Sequence, residues 1–155
     1  MIKVSIMGAV TLAVATTMPS VTLTGSAKDC LGRNRIQVPG VTIAAFNPPK
    51  NRKMVDLLHS MDTAVFVNSD TAAITRFSAK YDQLVNLVAT STALARTTSD
   101  SAGTFVVSFA AMDSAVIVGY KEIEGDLNYY SYRMVGARVN SSFFLDMSRG
   151  ECYFP

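Results

Sequence analysis

The chain has 155 residues, a formal net charge of +2, 49% hydrophobic residues, 2 cysteines and 1 histidine. That length is one ordinary domain, and its basic residues are dispersed, which excludes binding nucleic acid by massed phosphate neutralisation. A single histidine without a Cys-x-x-Cys spacing excludes the common zinc sets, and no Gly-x-Ser-x-Gly elbow, phosphate loop or dinucleotide fingerprint occurs, so neither metal nor cofactor is expected.

In chain order, Lys3 precedes an uncharged stretch from Val4 to Ala27, small and apolar as far as Met18, with Gly25, Ser26 and Ala27 just before Lys28. The pattern predicts a secretory leader over residues 1–27, cleaved after Ala27, and a single domain over 28–155. An uncleaved anchor is the alternative, but Thr, Ser, Gly and Pro dilute the second half, and the apolar part falls short of the roughly twenty residues a span needs. In an exported chain Cys30 and Cys152 are expected to form a disulfide. On the chain-entropy model such a staple stabilises by about 4–5 kcal/mol.

Ile36 to Phe46 reads as one extended segment, with Val41, Ile43 and Ala45 on one face, and Asn47, Pro48 and Pro49 end it. Lys50, Arg52 and Lys53 follow as a basic cluster at a solvated loop or helix start. Met54, Leu57, Leu58 and Met61 then fall at i, i+3, i+4 and i+7, the stripe of a short helix with His59 on its polar side. Residues 64–67 are a short apolar run that an edge strand would explain, and Ser69, Asp70 and Thr71 are cap residues. A longer helix is predicted over Ala72–Arg96, with Ile74, Phe77, Tyr81, Leu84, Val88 and Ala95 on one face and Ser91 filling the gap. The two helices read as one inserted unit at about residues 50–97, whose stripe packs inward rather than onto a partner protein.

Ser99, Asp100, Ser101 and Gly103 then supply a tight turn. Thr104 to Phe109 puts Phe105, Val107 and Phe109 on one face, and Ala115 to Tyr120 is apolar on both, as in a strand covered on each side. Lys121 to Leu127 is a charged hairpin whose Glu122, Glu124 and Asp126 keep an edge soluble rather than hold calcium. The return strand, Asn128 to Val135, places Tyr130 and Tyr132 on one face, a platform suited to stacking on a sugar or peptide side chain. Phe143, Leu145 and Met147 alternate with polar neighbours in a last strand leading to Cys152. Asn140, Ser141 and Ser142 form a glycosylation acceptor triplet.

The stretches VPGVTIAAF (38–46), SDSAGTFVVSF (99–109) and DSAVIVGY (113–120) resemble the carboxypeptidase regulatory-like family, whose domains are prealbumin-like β-sandwiches. Val38, Pro39, Gly40, Val41, Ile43 and Phe46 resemble its first strand; Ser99, Asp100, Gly103 and Phe105 resemble its turn into the next. The helical insertion between them departs from the family pattern. The resemblance implies a mainly β fold, an antiparallel prealbumin-like sandwich with a helical insertion; the residue patterns also fit an α+β antiparallel sheet packed by two helices. It further implies an accessory module without zinc ligands or peptidase residues. The expected function is therefore an exported, non-catalytic binding module, periplasmic or extracellular, meeting a protein or glycan of the cell envelope through Tyr130 and Tyr132. The competing reading is a small envelope hydrolase whose carboxylates, for example Asp100 and Asp113, are brought together by the fold.

Overall fold

The computed structural model describes residues 18–31, 34–62, 71–122 and 129–147. In order they form β1 (Ser20–Leu31), β2 (Asn34–Gln37), β3 (Thr42–Phe46), a 3-10 turn (Pro48–Asn51), α1 (Arg52–Asp62), α2 (Thr71–Thr90), β4 (Ala95–Thr98), β5 (Thr104–Ala110), β6 (Met112–Lys121), β7 (Tyr129–Ala137) and β8 (Ser141–Asp146). The chain is mainly β: two four-stranded sheets packed as a sandwich, with the helical insertion laid on the outer face of one of them.

The first sheet is organised by one strand. β5 pairs with Ser20–Ser26, β8 with Leu23–Lys28, and β2 with Lys28–Leu31, all on β1. Leu23 to Ser26 pair on both sides, so β5 and β8 flank opposite edges of β1; Lys28 does the same for β2 and β8. β8 runs parallel to β1, and every other pairing among the described strands is antiparallel. The reason β1 sits here is its period of two: Val21, Leu23 and Ala27 are buried, while Thr22, Thr24 and Ser26 alternate outward. Gly25 belongs to the inward set and pairs with Phe105 on one side and Phe143 on the other. Those rings meet edge to face, centroids 5.7 Å apart, and a Cβ on Gly25 would lie 2.1 Å from Phe105 Cζ. Aromatic rings thus fill the space above a strand glycine. The leader boundary expected after Ala27 falls inside this strand.

The second sheet has the order β4-β3-β6-β7. Its central strands are buried on both faces, as the continuous apolar run of Ala115 to Tyr120 predicts. Ile43, Ala45, Ala115 and Ile117 face the first sheet together with Val21, Leu23, Phe105, Val107, Phe109 and Leu145. Ala44, Phe46, Val116 and Val118 face the helices, meeting Met54, Leu57, Leu58 and Met61 of α1 and Phe77, Tyr81, Leu84 and Val88 of α2. Both predicted helical stripes are therefore buried ones. The side chain of Ile74 and the run at 64–67 lie outside the described residues.

Two boundaries differ from expectation. The single extended segment over Ile36–Phe46 is two strands in different sheets, separated where Gly40 takes a φ of 69°; Pro39 and Gly40 turn the chain across the sandwich. The predicted helix to Arg96 stops at Thr90 instead. The Arg96 guanidinium donates back to the carbonyls of Val88 and Ser91, capping the helix end, and Leu94 N–H donates to Ala45 O at 2.7 Å, starting the chain along β3.

The turn between β4 and β5 is held at both ends. Ser99, 5% exposed, accepts at Oγ from Val41 N–H (2.9 Å) and donates to Val38 O (3.0 Å). Gly103 has a φ of 72°, and a Cβ there would lie 3.0 Å from Ala27 O, so both its backbone region and its packing require glycine.

Candidate functional site

Tyr130 and Tyr132 stand on β7, which borders the second sheet. They share a face, as expected, and that face is the one toward the helices. Tyr130 lies 5.7 Å from the Phe77 ring of α2, and Tyr132 lies 6.0 Å from the His59 ring of α1, centroid to centroid. Both tyrosines are half-buried and pack against the helix-facing core. His59 is exposed, and Met134, next along the same face of β7, is 43% exposed. The result is not an open platform but a strip: the rings' inner parts anchor helix to sheet, and their outer parts meet solvent beside His59 and Met134. Lys80 Nζ of α2 donates to Ser60 O of α1 at 3.0 Å, tying the two helices together near this strip. In the neighbouring hairpin Glu122 is exposed, whereas Glu124 and Asp126 lie outside the described residues.

The carboxylates are not brought together. Asp100 precedes β5 and Asp113 opens β6, so the length of β5 separates them, about 20 Å at the rise of an extended strand. Each has a local role. Asp100 Oδ1 accepts from the N–H groups of Ala102 (2.9 Å) and Thr104 (2.8 Å), and Oδ2 accepts from the Thr104 hydroxyl (2.6 Å). The Thr104 hydroxyl, then the Thr104 N–H and to a lesser extent the Ala102 N–H, hold this carboxyl below its usual pKa. Asp113 Oδ1 pairs with Arg138 Nη2 at 2.6 Å on the surface. Among the described residues no three His, Cys, Asp or Glu side chains gather in a metal-binding group.

Cys30 lies near the end of β1, with its backbone opposite Arg35, and Cys152 lies outside the described residues. Met147 N–H donates to Lys28 O at 2.7 Å, so the parallel course of β8 carries the chain toward the Cys30 end of β1. Asn140 Oδ1 accepts from Thr22 N–H at 2.9 Å, engaging the acceptor asparagine with β1.

Two features escaped the sequence reading. A shallow cleft of about 440 Å³ is lined by Asn47, Lys50, Asn51, Thr90, Ser91 and Leu94, where the end of α2 meets the start of the insertion. Asn47 Oδ1 is buried there and meets no hydrogen-bond donor among the described residues. The Lys50 to Lys53 cluster was the visible signal; the apposition of residues 90–94 was not, because the helix end was placed too late. Arg35, Arg133 and Lys28 surround the Phe144 ring at 4.6, 5.6 and 6.0 Å. They come from three different strands, so no local pattern could show it.

No family model matches the chain, so the carboxypeptidase regulatory-like resemblance rests on its short motifs. No curated protein matches it either. Among solved structures the chain is similar to the minor pilin GBS52 of Streptococcus agalactiae, with 13% identity and a TM-score of 0.43 over 89% of this chain and 48% of that one. It is also similar to the shaft pilin SpaA of Lactobacillus rhamnosus GG, with 12% identity and a TM-score of 0.36 over 84% of this chain and 49% of that one. The chain thus spans about half the length of these pilins. At this distance they assign it neither function nor partner. Among the described residues no helix is long and apolar enough to cross a membrane.

Proposed function

We propose that the chain is an exported, non-catalytic binding or accessory module of the carboxypeptidase regulatory-like type. It meets a protein or glycan of the cell envelope at the Tyr130 and Tyr132 edge of β7. The observation that carries this reading is the alignment of two half-exposed tyrosines on a bordering strand, beside exposed His59 and Met134. Rings anchored on one side by Phe77 and the helices lose little conformational freedom when a ligand covers the other side, which is what makes tyrosine effective at contact surfaces. Cys30 and Cys152 form the staple of the exported domain in this account. The carboxylates the hydrolase reading needs are spent elsewhere: Asp100 holds its own turn, and Asp113 pairs with Arg138.

The test is to probe arrays of envelope glycans and peptides with the oxidised chain, then repeat with Tyr132→Ala and, as a control on the outer face of the first sheet, Val106→Ala. The expected result is at least a tenfold weaker Kd for Tyr132→Ala, about 1.4 kcal/mol, with Val106→Ala unchanged. Equal affinity for both variants would remove the tyrosine edge from the account. A second reading has its own observation, the buried Asn47 Oδ1 beside Lys50, which meets no donor among the described residues. Selective weakening by Lys50→Ala would favour the cleft.

A further inference from the structure

The small residues Gly25, Ser26 and Ala27 carry the expectation that the leader ends at Ala27, and the fold explains them differently. Gly25 is small because the Phe105 ring occupies the place of its Cβ. Ala27 is fully buried, its N–H donating to Gly103 O at 2.8 Å and its carbonyl accepting from Val38 N–H at 2.9 Å. Ser26 lies between them in the ladder, opposite Thr104 and Phe144. Packing accounts for Gly25 and Ala27, and a peptidase is not needed to explain them.

Cleavage after Ala27 would also dismantle the sheet. Every β1 residue paired to β5 lies between Ser20 and Ser26, and Lys28 is the only β1 residue paired to β8 that lies beyond Ala27. β2, β5 and β8 pair with β1 and not with one another in the described sheet. Removal of the leader during export, before folding, would leave β5 and β8 with nothing between them. Removal after folding would need access to a peptide bond whose carbonyl is already bonded to Val38.

We infer that the leader is cut between Ala15 and Thr16 and that Ser20–Ala27 stays in the mature protein as the organising strand of its first sheet. This rests on the exported reading of the N-terminus. Lys3 supplies the positive start, Val4–Leu12 the apolar stretch, and Ala13-Val14-Ala15 the small-x-small site directly after it. The lengths fit the short end of the range such leaders span. Thr16 to Pro19 then lead into β1. The reaction is hydrolysis of the Ala15–Thr16 peptide bond: water adds across it, leaving a carboxylate on Ala15 and a free amine on Thr16.

The experiment is to express the full chain in a bacterial secretion host, fractionate the cells, and read the exported product by intact mass and N-terminal sequencing. The expected product begins at Thr16. An Ala15→Tyr variant, which places a bulky side chain at the cleavage position, should accumulate as uncut precursor. A product beginning at Lys28 overturns the inference. An exported chain that keeps Met1 overturns the cleavage while leaving export intact, and a wild-type chain found whole in the cytoplasm overturns both. The Ala15→Tyr variant cut normally at residue 27 would overturn it independently.

Discussion

The second sheet is covered on both faces, by the first sheet on one side and by α1 and α2 on the other, whereas the outer face of the first sheet lies in water. Their strands differ accordingly. β3 and β6 are nearly continuous buried runs, while β5 alternates strictly, with Phe105, Val107 and Phe109 inside and Thr104, Val106 and Ser108 outside. The sheets also differ in how they are held. The second is a serial ladder in which each strand pairs with its neighbours; the first hangs from β1 alone. Damage to the second sheet should therefore be graded, and damage to β1 should be collective.

The sharpest way to break that asymmetry is Gly25→Val. The new side chain would need the space of the Phe105 ring, and both flanking strands would have to move; overpacking of this kind costs about 3 kcal/mol or more. The expected outcome is loss of the cooperative thermal transition, or a Tm lowered by about 6–12 °C at about 2–4 °C per kcal/mol for a domain near this size. Next in size is Leu84→Ala, which deletes a fully buried α2 side chain from the helix-facing core. It should cost about 3 kcal/mol by denaturant melting, with the transition remaining single. Two separated transitions would show that the helices unfold apart from the sandwich.

Ser99→Ala tests the link between the sheets' connections. It strips Val41 N–H and Val38 O of a buried partner, a loss of about 1–3 kcal/mol, and Ser99→Thr should recover part of it if the site admits the extra methyl. The smallest effect belongs to Asp100. The Thr104 hydroxyl depresses its folded pKa below the usual aspartate range, so its contribution is fully present above the unfolded pKa and is lost as pH falls through the folded value. Asp100→Asn should lower stability near neutrality and flatten the stability–pH curve below about pH 4, so that variant and wild type converge in acid. A variant curve parallel to wild type in acid would contradict the assigned role.

Much of the second sheet and the helical layer was legible because a residue's type there tracks a single environment. The Met54 to Met61 and Phe77 to Val88 stripes sit on one face each, and Ala115 to Tyr120 is apolar throughout. Legibility fell where one pattern serves two purposes. Residues 20–27 alternate Val, Leu and Ala with Thr and Ser, a strand signal, and also follow an apolar start without an intervening charge, a leader signal. Val38 to Val41 looked extended because Pro39 and Gly40 are compatible with a strand end as well as a turn between sheets. The tyrosine pair was placed on the correct shared face, yet its neighbours Phe77 and His59 come from distant elements. Only the tertiary fold shows that the platform is a strip.

The central claim is that Ser20–Ala27 is an integral strand, and hydrogen–deuterium exchange on the full chain tests it most directly. Amides of Val21–Ala27 should be protected to within about tenfold of those in β6, since both would open only with the whole domain. Exchange of Val21–Ala27 at the rate of an unfolded peptide, with β6 still protected, would contradict the account.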